Sequence, residues 1–330
     1  MNCIKKVAII IPTLNEERFI AQCLDSVINQ NFILEEMDIM VVDGGSKDKT
    51  QCIVEEYGKK YANIRLLQNP KRIQSVAFNI GVANSEAPIV VRLDAHAEYD
   101  KSYIAKCVEN HQCAKYGNVG GKCIISLRRE NIWSKANVIL NAMRFGIGGA
   151  AFRVSNKKAL VDTVPFGCFT RDVLNHVGKM NETLPRGEDN EFNFRIRKAG
   201  YSILFDPEIM ATYYARETFK GSVKQMFANG FSIGVLFHAC PQSIGLRHFV
   251  PFLFVCSILI WLVLALINPM VGLCILGLEM ATYLIADISA SFMATVKKEW
   301  KVKIVLPLLV LSVHIAYGLG TIKGLVKKSY

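Results

Sequence analysis

The stretch Pro88–Glu98, PIVVRLDAHAE, opens as an apolar run and turns polar abruptly at Asp94, with His96 two residues further on. A run without polar alternation suits a strand covered on both faces, as in a parallel sheet. Three earlier segments read as strands too: VAIII at Val7–Ile11, DIMVV at Asp38–Val42 and IRLL at Ile64–Leu67. Helical patterns fall between them, at about Glu17–Gln30, Thr50–Tyr61 and Ser75–Ala83. Strands alternating with helices in this way predict βαβ units and an α/β fold.

In such sheets ligands bind beyond the carboxyl ends of the strands. The sequence places PTLNEE, DGGSKDKT and DAHAE there. A dinucleotide site requires G-x-G-x-x-G after a strand. Pro12-Thr13-Leu14-Asn15 follows the first strand instead, and DGGSKDKT lacks the Walker lysine pattern, so nicotinamide and P-loop chemistry fall away. Asp43 ends the second strand, and Gly44 and Gly45 let the backbone turn tightly beside a ligand. Its carboxylate either accepts a hydrogen bond from a base edge, such as the imide N–H of uracil, or shapes the turn locally.

Asp94 and His96 supply a carboxylate and an imidazole at i, i+2 spacing, able to aim at one divalent ion. Imidazole suits Mn²⁺ better than Mg²⁺, and such an ion neutralises a diphosphate. The alternative is a polar loop in which His96 only bonds the backbone. A further acidic cluster lies in GEDNEFNFRIRKAG, Gly187–Gly200. It reads as a helix with Glu188, Asp189 and Glu191 in its first turn, Arg195, Arg197 and Lys198 late, and Gly200 as its stop. That pattern complements the helix dipole. A carboxylate at a helix mouth facing a cleft can also act as a general base.

The 330-residue chain is ordinary in composition up to about Arg216 and mostly apolar beyond Phe249. Val250–Ile267 carries no charge over roughly 18 residues, near the length that crosses a bilayer. Further apolar runs cover about Met270–Ala294 and Ile304–Ile322. Within the second, Glu279 and Asp287 are expected to face protein or water rather than lipid. The net charge of +11 points to a membrane surface rather than nucleic acid. No nucleic-acid motif is present, and Arg247, Lys297, Lys298, Lys301, Lys303, Lys323, Lys327 and Lys328 flank the apolar runs. Three crossings would put the last two lysine clusters on opposite sides; two crossings with an interfacial third run would put them on one. Ten cysteines without metal-type spacing, and an N-terminus that does not read as a secretory signal, suit a reducing compartment and a cytoplasmic-face domain. The expected division is a catalytic domain over 1–215, amphipathic interfacial helices over 216–249 and a membrane region over 250–330.

The segments VAIIIPTLNEE, VVDGGSKDKT, RLDAH and GEDNEFNFR, in this order and at these gaps, resemble family-2 glycosyltransferases of the GT-A fold, over roughly Val7–Arg216. RLDAHAEY, NVGG, VDTVPFG and LRHFVPFLF are similar to the bacterial exopolysaccharide branch with succinoglycan glucosyltransferases. The resemblance implies an inverting, metal-dependent enzyme that passes a hexose from a UDP-sugar to a lipid-linked (polyprenyl-diphosphate) or glycan acceptor. It implies nucleotide-sugar roles for Pro12, Thr13, Glu16, Asp43, Arg72, Asn79 and Asp94, with Gly81 beside them. Asp94 and His96 would hold Mn²⁺ or Mg²⁺, Asp189 would be the catalytic base, and Glu188 and Gln225 would lie on the acceptor side. His96 replaces the second acid of D-x-D, and Ala228 in QMFANG replaces the arginine of Q-x-x-R-W, which argues for single transfers rather than polymerisation. A sugar-phosphate nucleotidyltransferase, or a membrane scaffold with a degenerate transferase domain, are the competing readings.

Overall fold

Val7, Ile9 and Ile11 pack into one hydrophobic core and Ala8 and Ile10 into another, and all five are completely buried. Alternate residues of one strand thus serve both faces of a sheet, which is why the run shows no polar alternation. The computed structural model describes residues 6–147, 149–295 and 299–327. Cys3, Lys297, Lys298 and Lys328 lie outside the described residues. The nine described cysteines are all free.

Two units divide the chain. The first runs to Ile124 and resumes over Ala151–Tyr214; the second comprises Ile125–Ala150 and everything from Ala215 onward. The expected divisions fall near residues 215 and 249. Ile125–Ala150 instead leaves the α/β unit because helix Ile132–Ala142 buries Ala136, Ile139 and Leu140 in a core with Met226, Leu306 and Val310.

The strands are β1 (Val7–Thr13), β2 (Met37–Asp43), β3 (Ile64–Gln68), β4 (Ile89–Arg92), β5 (Ala97–Tyr99), β6 (Tyr116–Ser126), β7 (Ala159–Val161), β8 (Cys168–Thr170) and β9 (Ser202–Tyr214). They form one sheet in the order β3-β2-β1-β4-β8-β6-β9-β5, with β7 paired to β9. The first four run parallel, in register Val7↔Met37, Val7↔Ile89 and Ile39↔Ile64. β8 joins β4 antiparallel, and β5 and β7 join β9 antiparallel. All four expected strands are present. β1 runs two residues past the expected end, so Thr13 pairs with Asp43 and both polar loops leave at one level.

Helices Ile20–Ile28 and Tyr103–Cys113 contribute to the core that holds Val7, Ile9 and Ile11. Helices Gln74–Ala83, Arg171–Val177 and Glu188–Lys198 contribute to the core on the other side. The expected acidic helix is therefore real, and it starts after Gly187 at φ +83°. Gly81, expected beside the nucleotide, serves packing, since a Cβ there would lie 2.6 Å from Ile10 Cγ1. Its hydrogen lets the helix sit directly on β1.

In the second unit, helices spanning Leu246–Ile267, Pro269–Ala294 and Trp300–Lys327 are long and apolar enough to cross a membrane by length and composition, with mean hydropathy 2.9, 1.7 and 2.0. Glu279 accepts hydrogen bonds from Ser257 Oγ at 2.5 Å and Trp261 Nε1 at 2.6 Å. Asp287 is fully buried beside Ser291 Oγ at 3.1 Å. Both acids face protein, as a polar group in such a helix must. The segment 216–249 contains helix Phe219–Ala239, packed tightly against Trp300–Lys327. Small residues four apart on both helices, Gly230/Gly234 and Gly320/Gly324, allow backbone-to-backbone approach. A Cβ on Gly324 would lie 2.2 Å from Phe231 O, and one on Gly230 would lie 1.9 Å from Tyr317 O.

Gly324→Leu therefore forces these helices apart. It should lower the stability of the purified protein by at least about 1–3 kcal/mol, the usual range for overpacking. Thermal melting in detergent against wild type checks this; an unchanged melting temperature would show that the close approach is dispensable.

Candidate active site

The loops after β1 and β2 are tied together by their own polar side chains. Asn15 N–H donates to Ser46 Oγ and Lys47 N–H to Asn15 Oδ1, each at 2.8 Å. Glu16 N–H donates to Thr50 Oγ1 at 2.8 Å, and Gly44 N–H to Thr13 O at 2.8 Å. Asn15 and Arg72 hold positive φ, +55° and +58°, although neither is glycine. Such backbone strain persists only where surrounding bonds over-determine it, and it concentrates at functional sites.

These loops border a cleft of about 170 Å³ lined by Pro12, Thr13, Glu16, Arg72, Asp94 and His96, with Leu14, Gly44, Asn69 and Gln74. Six of the residues expected from sequence thus meet at one rim. Asp94 follows directly on β4 and Leu93. Its N–H donates to the Tyr99 hydroxyl at 2.7 Å, and that hydroxyl donates back to Asp94 O at 3.1 Å. The carboxylate accepts from Gln74 Nε2 at 3.1 Å and Arg92 Nη2 at 3.3 Å. His96 Nδ1 lies 3.1 Å from Glu16 Oε1, and its ring meets Tyr213 edge-on.

Asp43, Asn79 and Gln225 are not among the residues that line this cleft. Asp43 is completely buried, and its carboxylate accepts from Gly45 N, Ser46 N, Ser46 Oγ and Gln51 Nε2 at 2.5–2.8 Å. These local donors hold the DGGS turn, three of them meeting Oδ2 and one meeting Oδ1. Asn79 does not reach the cleft. Its amide donates to Met180 O and Glu182 Oε1 and accepts from Met180 N, pinning the helix to the 180–182 segment. Gln225 stands in the second unit, where its oxygen accepts from Arg216 Nε at 3.2 Å.

Sequence reasoning passes over Arg92. It is a charged residue in the last position of a buried strand, which is the one signal the sequence offers. Its side chain, 10% exposed, reaches Asp94 Oδ1 at 3.3 Å and Glu188 Oε1 at 3.2 Å. Glu188 is 4% exposed, whereas Asp189 is only partly buried and, with Arg92, Asn118 and Asn193, lines a water-sized cavity. Removing one partner of a buried ion pair typically costs about 3–5 kcal/mol. Burial pushes the Glu188 carboxyl up to about 7; Arg92 opposes this and Asp189 adds to it. Arg92 itself is held more firmly protonated by Asp94, Glu188 and Asp189 than burial alone would allow.

Among the described residues, no three His, Cys, Asp or Glu side chains gather as a metal cage. Asp94 and His96 do line one cleft together, giving one oxygen and one nitrogen donor. That set fits a divalent ion that takes its remaining ligands from a diphosphate and water, as nucleotide-site metals do.

The raised Glu188 pKa has a definite sign. Between about pH 4.5 and 7 the folded chain holds a proton that the unfolded chain releases, so this group lowers stability as pH rises through that window. Relative to wild type, Glu188→Gln should gain apparent melting temperature steadily from pH 4.5 to 7 and then level off. Parallel melting curves across that range would exclude the shift.

Residues 8–178, more than half of the chain, match the family model described as glycosyl transferase family 2. A relative from Methanococcus voltae is 28% identical over 97% of both chains; it is a dolichyl N-acetyl-alpha-D-glucosaminyl phosphate 3-beta-D-2,3-diacetamido-2,3-dideoxy-beta-D-glucuronosyltransferase. The succinoglycan biosynthesis protein ExoA of Rhizobium meliloti is 27% identical over 79% of both. Among solved structures, the mannosyltransferase PcManGT from Pyrobaculum calidifontis, in complex with GDP-Man and Mn²⁺, superposes with TM-score 0.59 at 17% identity, covering 94% of this chain and 86% of its own. That likeness establishes the fold, the GT-A arrangement expected from the sequence. With a nucleotidyltransferase set aside by the family match, the chain is a glycosyltransferase and belongs to glycosyl transferase family 2.

Proposed function

We propose that the protein transfers a hexose from a UDP-sugar to a lipid-linked acceptor on the cytoplasmic face of a membrane, inverting the anomeric centre in a single displacement. One observation carries this reading. Asp94 at the nucleotide cleft and the Glu188–Asp189 pair at a helix mouth are joined through one guanidinium, so a donor end and a proton-accepting end belong to one site.

The donor nucleotide would lie along Pro12, Thr13, Glu16 and Arg72. Thr13 and Gly44 bring backbone close to it, and Arg72 offers positive charge at the open side. A divalent ion on Asp94 and His96 would supply charge against the leaving diphosphate. Asp189 accepts the proton of the acceptor hydroxyl as that oxygen attacks C1 from the opposite face. Glu188 is too buried and too engaged with Arg92 to do so. No covalent sugar intermediate forms, so one inversion results.

The acceptor class is supported by the Methanococcus voltae relative, whose name carries a dolichyl-phosphate-linked sugar, and by this chain's apolar helices. A transferase anchored in the same membrane as its acceptor works at raised local concentration. The succinoglycan relative keeps exopolysaccharide assembly as the second setting for the same chemistry. Ala228 in place of the Q-x-x-R-W arginine supports single transfers.

Asp189→Asn should lower transfer by about 10²–10⁴-fold, the range for loss of a general base, while UDP binding stays within a few-fold of wild type. Parallel loss of binding would reassign Asp189 to structure. A thermal-shift panel of UDP-, GDP- and CDP-sugars with and without Mn²⁺ tests the donor; stabilisation by UDP-sugars that needs the metal is the expected outcome.

A further inference from the structure

Three carboxylates, Asp94, Glu188 and Asp189, surround a single buried cation, Arg92, and come from chain segments almost a hundred residues apart. Arg92 is the last residue of β4, so its backbone is fixed by the sheet, with Arg92 N–H donating to Gly167 O at 3.0 Å. From there one nitrogen reaches Asp94 on the loop that leaves the strand, and another reaches Glu188 at the first position of the 188–198 helix. Asp189 is the next residue of that helix and lines a water-sized cavity with Arg92. A planar guanidinium can hold two carboxylates at set angles, which an ammonium cannot do.

We propose that Arg92 is a positioning residue, a clasp that ties Asp94 to Glu188 and so sets where Asp189 stands relative to the nucleotide end of the cleft. Glu188 is then the handle by which the helix mouth is held. The two adjacent acids have separate roles, the buried one for placement and the accessible one for chemistry. The inference rests on the proposed roles of Asp94 and Asp189. It adds what joins them, and it accounts for a strand that ends on a buried arginine.

A clasp has a signature that a simple charge contribution lacks. Arg92→Met leaves Glu188 buried without its partner, and adding Glu188→Gln removes that stranded acid. The double variant should therefore be more active than Arg92→Met alone. With full-length protein in lipid nanodiscs, Arg92→Met should lower kcat by about 100-fold and also raise the KM for the UDP-sugar, because Asp94 loses its cationic partner and keeps only Gln74; losses of this size are usual when supporting contacts of a site are removed. Glu188→Gln alone, which can still accept a hydrogen bond from Arg92, should stay within about 10-fold of wild-type kcat with KM unchanged. The double variant should regain about 10-fold in kcat over Arg92→Met but keep its raised KM. Arg92→Lys should fall between wild type and Arg92→Met.

Losses that simply multiply in the double variant would overturn the clasp, as would an Arg92→Met enzyme with wild-type kcat and KM. Circular dichroism restricts the comparison to folded samples. Should Arg92→Met fail to fold, the Glu188→Gln and Arg92→Lys enzymes decide it alone: a KM rise in the first, or full activity in the second, rejects the clasp. Wild-type protein that transfers no sugar from any UDP-sugar would instead reject the functional reading beneath it.

Discussion

Burial of β1 and β2 on both faces is the constraint from which the rest of the first unit follows. Every residue of β2, and all of β1 except partly buried Pro12, is enclosed, so no polar side chain is tolerated along them without a partner. Polar chemistry is thereby pushed to the strand ends. The parallel register then brings Thr13 opposite Asp43 and places β4 on the other side of β1. The cleft is a consequence of a sheet that has nowhere else to put its acids.

Within that rim, the fully buried acid is used for architecture. Asp43 holds a turn through four donors, and Glu188 holds a buried arginine. Asp94 and Asp189 retain partial exposure. Exposure rather than residue type separates the two pairs. The same logic runs through the second unit, where Glu279 is satisfied by Ser257 and Trp261 within otherwise apolar helices.

In helix Phe219–Ala239 small residues set the packing. Its mixture of basic and apolar residues resembles a surface-lying helix, and Gly234 meets Gly324, Gly230 meets Tyr317 and Gly320 meets Phe227 closely enough that backbones nearly touch. Lys323 and Lys327 lie over Phe227 and Phe231, so part of the positive charge near the third apolar helix is engaged by aromatic rings of its neighbour.

The chain's own pattern determined the α/β class, the four parallel strands, the acidic helix and three membrane-length helices, because each is a local matter of periodicity, length and caps. It also located six residues of the cleft, since strand ends are visible as abrupt changes of polarity. Tertiary structure alone decided that Asn79 is occupied by Met180 and Glu182, that Ile125–Ala150 joins the C-terminal helices, and that Arg92 binds Asp94 and Glu188. Those outcomes depend on which donors arrive from distant segments. A sequence records the donors but not their meeting in space.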